Sequence, residues 1–344
     1  MRDGDILILK GHEVDALLAG RELDLMQTVR SAYVTHGVGQ SSLPHSTFLR
    51  FPDDDRNRII ALPAYLGGDF KVAGMKWISS FPANLERGLE RASAVLILNS
   101  ALTGRPEAIL EGSLISAKRT AASAVLAART LTAGRDISTV GIIGTGLINY
   151  EVVRFLLASC AEVKRVLVFD LDVDRAAQFR KKCRELSGQV EVEVAGHVEE
   201  VLGRAPLISL ATTAGSPHIK DLSRCAAGAT ILHVSLRDLS PEVILASDNI
   251  VDDVEHVCRA QTSVHLAEQL AGNRDFIRCS LADILRGDAA ARRDETSIAV
   301  FSPFGLGVLD LAVGALVRDL AADNRLGTNI NAFVREPWVG DRRG

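Results

Sequence analysis

Three groups of residues in this chain could do chemistry: a glycine pair behind an apolar run, a handful of cations in apolar or small-residue surroundings, and an aspartate just past another apolar run. The glycine pair lies in "TVGIIGTGLINYEVV" (139–153), where a strand-like stretch meets Gly144-Thr145-Gly146 and then a helix-like stretch. In a strand–GxG–helix turn the first glycine permits the tight bend and the second lets the backbone approach a pyrophosphate. A third small residue eases packing of helix on strand. Asn149 stands at that third position, so the expected cost is helix–strand closeness and not phosphate contact. The helix beyond offers its free N–H groups and positive dipole end to the phosphates. The next apolar run, "RVLVFD", ends in Asp170, where an acidic residue bonds a ribose 2′-hydroxyl and repels a 2′-phosphate. NAD is therefore favoured over NADP, with Arg175 close enough in sequence to soften the preference.

The cations are Arg50 in "STFLRF", Lys76 in "GMKWIS", Arg91 in "GLERASAV" and Arg119 in "AKRTAAS", read as a set at strand ends. Singly, each reads as a solvated surface charge. Lys76, however, is flanked by Met75 and Trp77, and Arg119 lies among small residues, so both charges need a reason. Cations gathered from separate strands suit a small molecule with several carboxylates, which arginine binds in a bidentate manner. Asp238 in "HVSLRDLSPEV" follows a predicted strand, which places it at a carboxyl edge of the sheet, able to move a proton or activate water. A turn or helix-capping aspartate ahead of "SPEV" is the alternative. His45, His218 and His233 fall near loops or strand ends without ligand spacing, and no metal is expected.

The elements that must hold these residues change character along the chain. From about 138 onward, "STVGIIG", "RVLVFD", "VEVEVAG", "LISLATT", "TILHVS" and "NIVDDVEH" alternate with helix-like runs. That predicts βαβ units and an α/β, Rossmann-type, doubly wound parallel sheet. The first 120 residues predict an α+β region: a helix over 22–37, then strands "STFLRF", "RIIALPAYLG", "VAGMKWIS" and "SAVLILN" with antiparallel pairing. The Ala-rich 113–131 predicts a helix joining the two regions, and the chain after 300 a Gly-rich turn followed by a helix that returns to the first.

With 344 residues, 47% hydrophobic and 24% charged, the chain has the composition of a globular protein of about two domains. A net charge of −4 without a dense Lys/Arg run argues against nucleic acid or an anionic membrane as partner. Five scattered cysteines, with no CxxC, read as thiols of a reducing compartment. "MRDGDILILKG" is not expected to be a signal peptide, and no apolar stretch approaches the roughly 20 residues of a membrane span, so a cytoplasmic location is expected.

Five stretches, "RIIALPAYLGG", "GMKWISSFPANLERGLERASAVLILN", "EGSLISAKRTAAS", "GIIGTGLI" and "FGLGVLDLA", together resemble the ornithine cyclodeaminase/μ-crystallin family over nearly the whole chain and in its order. "ERASAVLILN" is most similar to the branch that oxidatively hydrolyses N-(2-amino-2-carboxyethyl)-L-glutamate to 2,3-diaminopropionate and 2-oxoglutarate, for siderophores and peptide natural products. "RDLSPEV" stands where cyclodeaminases carry a "DCPGK"-like sequence. The resemblance implies a substrate-binding and dimerisation domain (1–121 with 316–344), an NAD-binding domain (122–315) and a homodimer. It implies that Lys76 and Asp238 are catalytic, and that Arg50, Lys76, Arg119 and Gly305 bind substrate. It places Gly144, Thr145, Gly146 and Leu147 on the pyrophosphate and Asp170 on the adenosine ribose. Thr212, Ser235, Arg91, Arg119 and Phe304 would touch the cofactor elsewhere, with Phe304-Gly305 closing over the nicotinamide. An ornithine cyclodeaminase or ketimine reductase, and a non-catalytic NAD(P)H-binding protein, remain alternatives on the same scaffold.

Overall fold

A computed structural model describes residues 4–335. The chain begins with β1 (Ile6–Leu9), α1 (Gly11–Leu18) and α2 (Glu22–Gly37). Six strands follow: β2 (Ser41–Ser42), β3 (Thr47–Phe51), β4 (Asp54–Leu66), β5 (Val72–Ser80), β6 (Ala92–Ser100) and β7 (Pro106–Glu111). After α3 (Ser113–Leu131) come β8 (Thr139–Ile143), α4 (Leu147–Ser159), β9 (Arg165–Phe169), α5 (Val173–Leu186) and β10 (Glu191–Val194). Next are α6 (Val198–Arg204), β11 (Leu207–Leu210), β12 (Thr230–His233), α7 (Pro241–Ala246) and β13 (Asp248–Val251). The remainder is α8 (Val254–Val257), α9 (Ser263–Ala271), β14 (Ile277–Ser280), α10 (Leu281–Arg286), β15 (Ala299–Ser302), α11 (Gly307–Asn324) and β16 (Thr328–Ile330).

Two compact units result. Of the described residues, the first takes 4–21, Val38–Ser116 and 307–335; the second takes Glu22–Gly37 and Ala117–Leu306. These bounds differ from those expected. The first unit resumes at Gly307 and not at 316, the division within α3 falls after Ser116 and not after 121, and α2 goes with the second unit. The reason for the last is α2's apolar stripe: Leu25, Val29, Ala32 and Tyr33 are fully buried, and the helix packs on α4 and α10. Residues 336–344, also expected in the first domain, lie outside the described residues.

The first unit is a mostly antiparallel sheet in the order β16-β1-β7-β6-β5-β4-β2, with β3 also paired to β4. Alternation along the strands turns Leu62, Ala64, Leu66, Leu96 and Leu98 to one face, all buried, and α11 packs on this sheet at β4, β5 and β6. Gly314 permits the approach, since a Cβ there would lie 2.4 Å from Leu96 Cδ2. The Glu111 carboxylate receives the backbone N–H groups of Ser113 (2.7 Å) and Leu114 (3.1 Å), fixing where α3 starts.

The second unit is an all-parallel sheet, β10-β9-β8-β11-β12-β15-β13-β14. Its first five strands follow the doubly wound order, with the direction of winding reversing between β8 and β11, where such sheets bind ligands at their carboxyl ends. Two of its strands lie where none was expected: β14 at the edge of the sheet, and β15, "AVFS" (299–302), buried between β12 and β13 where a Gly-rich turn was expected to begin. Three apolar residues and a serine without alternation carry no periodic signal, so only the sheet reveals β15.

Candidate active site

The glycine loop leaves β8 with Gly144 at φ +88°, and a Cβ there would lie 2.6 Å from Ala211 O, so the position accepts only glycine. Gly146 caps α4 without any side-chain cap, has open space where a Cβ would be, and leaves the first N–H groups of the helix available to an anion. Leu147 is 46% exposed at that helix start. Thr145 donates from its backbone N and its Oγ1 to Asp170 Oδ2, both at 2.7 Å, while Asp170 Oδ1 receives Asp172 N at 3.0 Å. Burial opposes charge on Asp170, but the N–H groups of Asp172 and Thr145, the Thr145 hydroxyl and Arg175 outweigh it and hold the carboxyl below its usual range. Oδ1, which accepts one hydrogen bond, has a second lone pair for a ribose hydroxyl. The cradle, the uncapped helix and the ionised Asp170 fit a dinucleotide.

Asn149 corrects the sequence reading. It is fully buried, with Nδ2 donating to Ile143 O (3.0 Å) and Gly144 O (2.6 Å) and Oδ1 accepting from Ser209 Oγ (2.7 Å). The side chain ties together β8, the loop and β11 where a small residue would only permit close packing.

Beyond β11 and β12 lies a polar cluster built on Asp238, whose side chain is 0% exposed. Thr212 Oγ1 and Ser235 Oγ donate to its two oxygens, and His218 Nε2 lies 3.1 Å from Oδ1. The fully buried His233 accepts the Asp238 backbone N–H at Nε2 (3.2 Å) and meets Ser302 Oγ through Nδ1 (3.3 Å). Its Nε2 being an acceptor, Nδ1 carries the proton and the ring is neutral, in keeping with the burial that lowers its pKa. Burial would raise the Asp238 pKa, yet contacts from His233, Ser235 and Thr212 prevail and hold it well below the carboxylate range. The hydroxyls are the effective donors, because His233 Nε2 is already an acceptor. Leu236, buried at φ +65°, makes the bend that brings Ser235 and Asp238 to the same place.

Arg119 is buried (7% exposed), and its guanidinium lies against Gly305, where a Cβ would be 3.0 Å from Nη1. The Phe304 and Gly305 N–H groups both donate to the Asp252 carboxylate, at 2.9 and 2.7 Å. Burial raises the Asp252 pKa despite these bonds.

In the first unit Lys76 is mid-strand in β5 and not at a strand end. It is 3% exposed, with Nζ 2.8 Å from Asp310 Oδ2 and 3.0 Å from Ser116 Oγ. Arg50 is exposed at the end of β3, its guanidinium 5.8 Å from the Phe48 ring. Register puts Arg50 directly across from Arg58, and Arg58 shares a face of β4 with Leu62, the partner of Lys76. One face thus carries Arg50, Arg58 and Lys76. Arg91 immediately precedes Ala92, which pairs with Ser80, itself across from Arg58.

The second unit therefore brings together Gly144, Thr145, Gly146, Leu147 and Asp170. Thr212 joins that loop to Ser235 and Asp238, its Cα lying 3.2 Å from a Cβ built on Gly144. Arg119, Phe304 and Gly305 form a further group. Arg50, Lys76 and Arg91 belong to the first unit. Sequence reasoning missed Asp310, Arg58 and Asp252, and left His218 without a role. Asp310 alone carried a signal, as an acid inside the apolar run "GVLDLAV". Among the described residues no group of three or more His, Cys, Asp or Glu could hold a metal ion, and no helix is long and apolar enough to cross a membrane.

N-((2S)-2-amino-2-carboxyethyl)-L-glutamate dehydrogenase of Staphylococcus aureus is 27% identical over 96% of this chain and 99% of its own. Alanine dehydrogenase of Archaeoglobus fulgidus is 27% identical over the same shares, 96% and 99%. The structure of Thermococcus litoralis Δ1-pyrroline-2-carboxylate reductase with NADH and L-proline superposes with a TM-score of 0.86 at 26% identity, covering 94% of this chain and all of that one. The family model described as ornithine cyclodeaminase/mu-crystallin matches residues 6–325, and the chain belongs to that family.

Proposed function

We propose that the chain oxidatively hydrolyses N-(2-amino-2-carboxyethyl)-L-glutamate to 2,3-diaminopropionate and 2-oxoglutarate, in the biosynthesis of a siderophore or peptide natural product. It is an NAD-dependent oxidoreductase acting on a CH–NH bond of an amino-acid substrate. The observation that carries the choice of substrate is the directly opposed Arg50–Arg58 pair on the face that also bears Lys76. Several cations gathered on one face suit a substrate with three carboxylates, which guanidinium groups bind in a bidentate manner, better than ornithine, with its single carboxylate and cationic side chain.

In this reading Arg50 and Arg58 hold carboxylates, and Lys76, oriented by Asp310 and Ser116, neutralises charge near the reacting carbon. Arg119 supports substrate beside Gly305, and Arg91 contacts the cofactor. NAD⁺, when bound, accepts the hydride from the glutamate-derived Cα. The Asp238 cluster manages the protons of the hydrolysis that follows, in which water adds to the imine carbon and the C–N bond breaks. A homodimer is supported by the sheet face opposite α11, which presents Pro63, Tyr65, Met75, Trp77 and Val95, with Tyr65, Trp77 and Val95 at 39, 38 and 41% exposure. Five unpaired cysteines support a reducing, cytoplasmic setting.

The test is absorbance at the NADH band with NAD⁺ and either the proposed substrate or L-ornithine. A rise with the first alone is expected. A flat trace in both, with proline appearing from ornithine, would make the protein a cyclodeaminase.

A further inference from the structure

The Asp238 side chain is wholly enclosed, so its carboxylate meets neither water nor substrate directly. Its partners are two hydroxyls, His233, which is buried, and His218, whose side chain is 42% exposed. Serine and threonine hydroxyls can pass a proton on but cannot hold one near neutral pH, whereas an imidazole can. We propose that His218 is the catalytic acid–base of the reaction and Asp238 the positioning residue behind it. This rests on the oxidative hydrolysis proposed above.

The geometry fixes the tautomer. Asp238 is ionised and can only accept, so His218 Nε2, 3.1 Å from Oδ1, carries the hydrogen. Nδ1 is then the basic nitrogen, and no described residue occupies it. The ring is aimed by its backbone as well. The N–H groups of His218 and Ile219 both donate to Asp238 O, at 2.9 and 2.8 Å, and Ser240 N returns to Ile219 O at 2.9 Å. A half-exposed imidazole clamped at backbone and ring, with an enclosed carboxylate on its far nitrogen, reproduces the base-and-orienter logic of hydrolytic triads.

The step balances without a further reagent. Hydride loss leaves an iminium between the glutamate-derived carbon and the diaminopropionate nitrogen. Water adds to that carbon while His218 Nδ1 takes one of its protons, giving a neutral carbinolamine and an imidazolium. The imidazolium then returns the proton to nitrogen as the C–N bond breaks, and the carbinolamine hydroxyl releases its proton to solvent as the 2-oxo acid forms.

The full-length protein carrying His218→Ala is assayed with NAD⁺ and N-(2-amino-2-carboxyethyl)-L-glutamate, with and without added imidazole. Expected is a loss of kcat on the order of 10²-fold or more, with NADH affinity unchanged and at least tenfold recovery in imidazole. Turnover within threefold of the unaltered protein, or a loss that imidazole leaves untouched, overturns the proposal. The tautomer is read independently of any substrate by ¹⁵N NMR of the NADH-bound protein. A proton on Nε2 of His218 is expected, and one on Nδ1 alone would overturn the assignment even if the substrate proved different.

Discussion

Asn149→Ala sets two readings of the glycine loop against each other. If the third position of the motif only needs to be small, alanine should tighten helix against strand and leave stability unchanged or improved. The structure assigns Asn149 three buried hydrogen bonds, to Ile143 O, Gly144 O and Ser209 Oγ. Ile143 O also receives Ala211 N, so its loss is small, but Ser209 is fully buried and its hydroxyl would be left without Asn149. At roughly 1 kcal/mol per bond, plus 1–3 kcal/mol for a stranded buried group, the loss is about 3–5 kcal/mol. That lowers the thermal midpoint by on the order of 10 °C for a unit of this size. Differential scanning calorimetry with and without NADH measures it. Adding Ser209→Ala should recover about 1 kcal/mol, because the stranded hydroxyl goes too. A midpoint equal to or above that of the unaltered protein would refute the reasoning, whatever NADH does.

Four further outcomes are expected. Lys76→Met should abolish turnover while leaving NADH affinity intact, and it should cost about 3–5 kcal/mol in urea unfolding because Asp310 loses its ion pair. Arg58→Gln should raise KM for the tricarboxylate substrate by roughly tenfold or more, about 1.4 kcal/mol, with little effect on NAD⁺; initial rates decide. Asp252→Asn should lower kcat roughly tenfold in steady-state assays, since an amide offers one acceptor oxygen to the two N–H groups of Phe304 and Gly305. Asp238 and Asp253 both have carboxyls held below their ordinary range in the folded state, so the stability they contribute is present at neutral pH and is lost as pH falls below about 4; Asp238→Asn should flatten the acid side of the stability curve measured by denaturant titration.

The sequence announced the residues whose chemistry depends on local chain geometry. Gly144 and Gly146 follow a strand and precede a helix, so their turn could be read directly, as could Asp170 at the end of the next strand. The antiparallel first sheet was legible for a similar reason: β3 to β6 alternate with period two and are joined through Pro- and Gly-bearing turns. What stayed hidden depends on register and tertiary contact. Arg58 became significant only through the pairing that sets it across from Arg50, and Asp310 through a contact spanning 234 residues. Asp252 looked like one of two strand-end acids until its bonds to Phe304 and Gly305 distinguished it. Asn149 misled because a motif position was read as a volume requirement, whereas the fold uses its hydrogen bonds.

The central claim, that the glutamate-derived Cα–H is oxidised and its C–N bond then hydrolysed, is tested most directly by an isotope balance. Substrate deuterated at that carbon is turned over with NAD⁺, and the products are weighed by mass spectrometry. The account predicts one deuterium in the reduced nicotinamide for each 2-oxoglutarate and each unlabelled 2,3-diaminopropionate formed. Deuterium retained in an amino-acid product, or released to water with no net NADH, would contradict it.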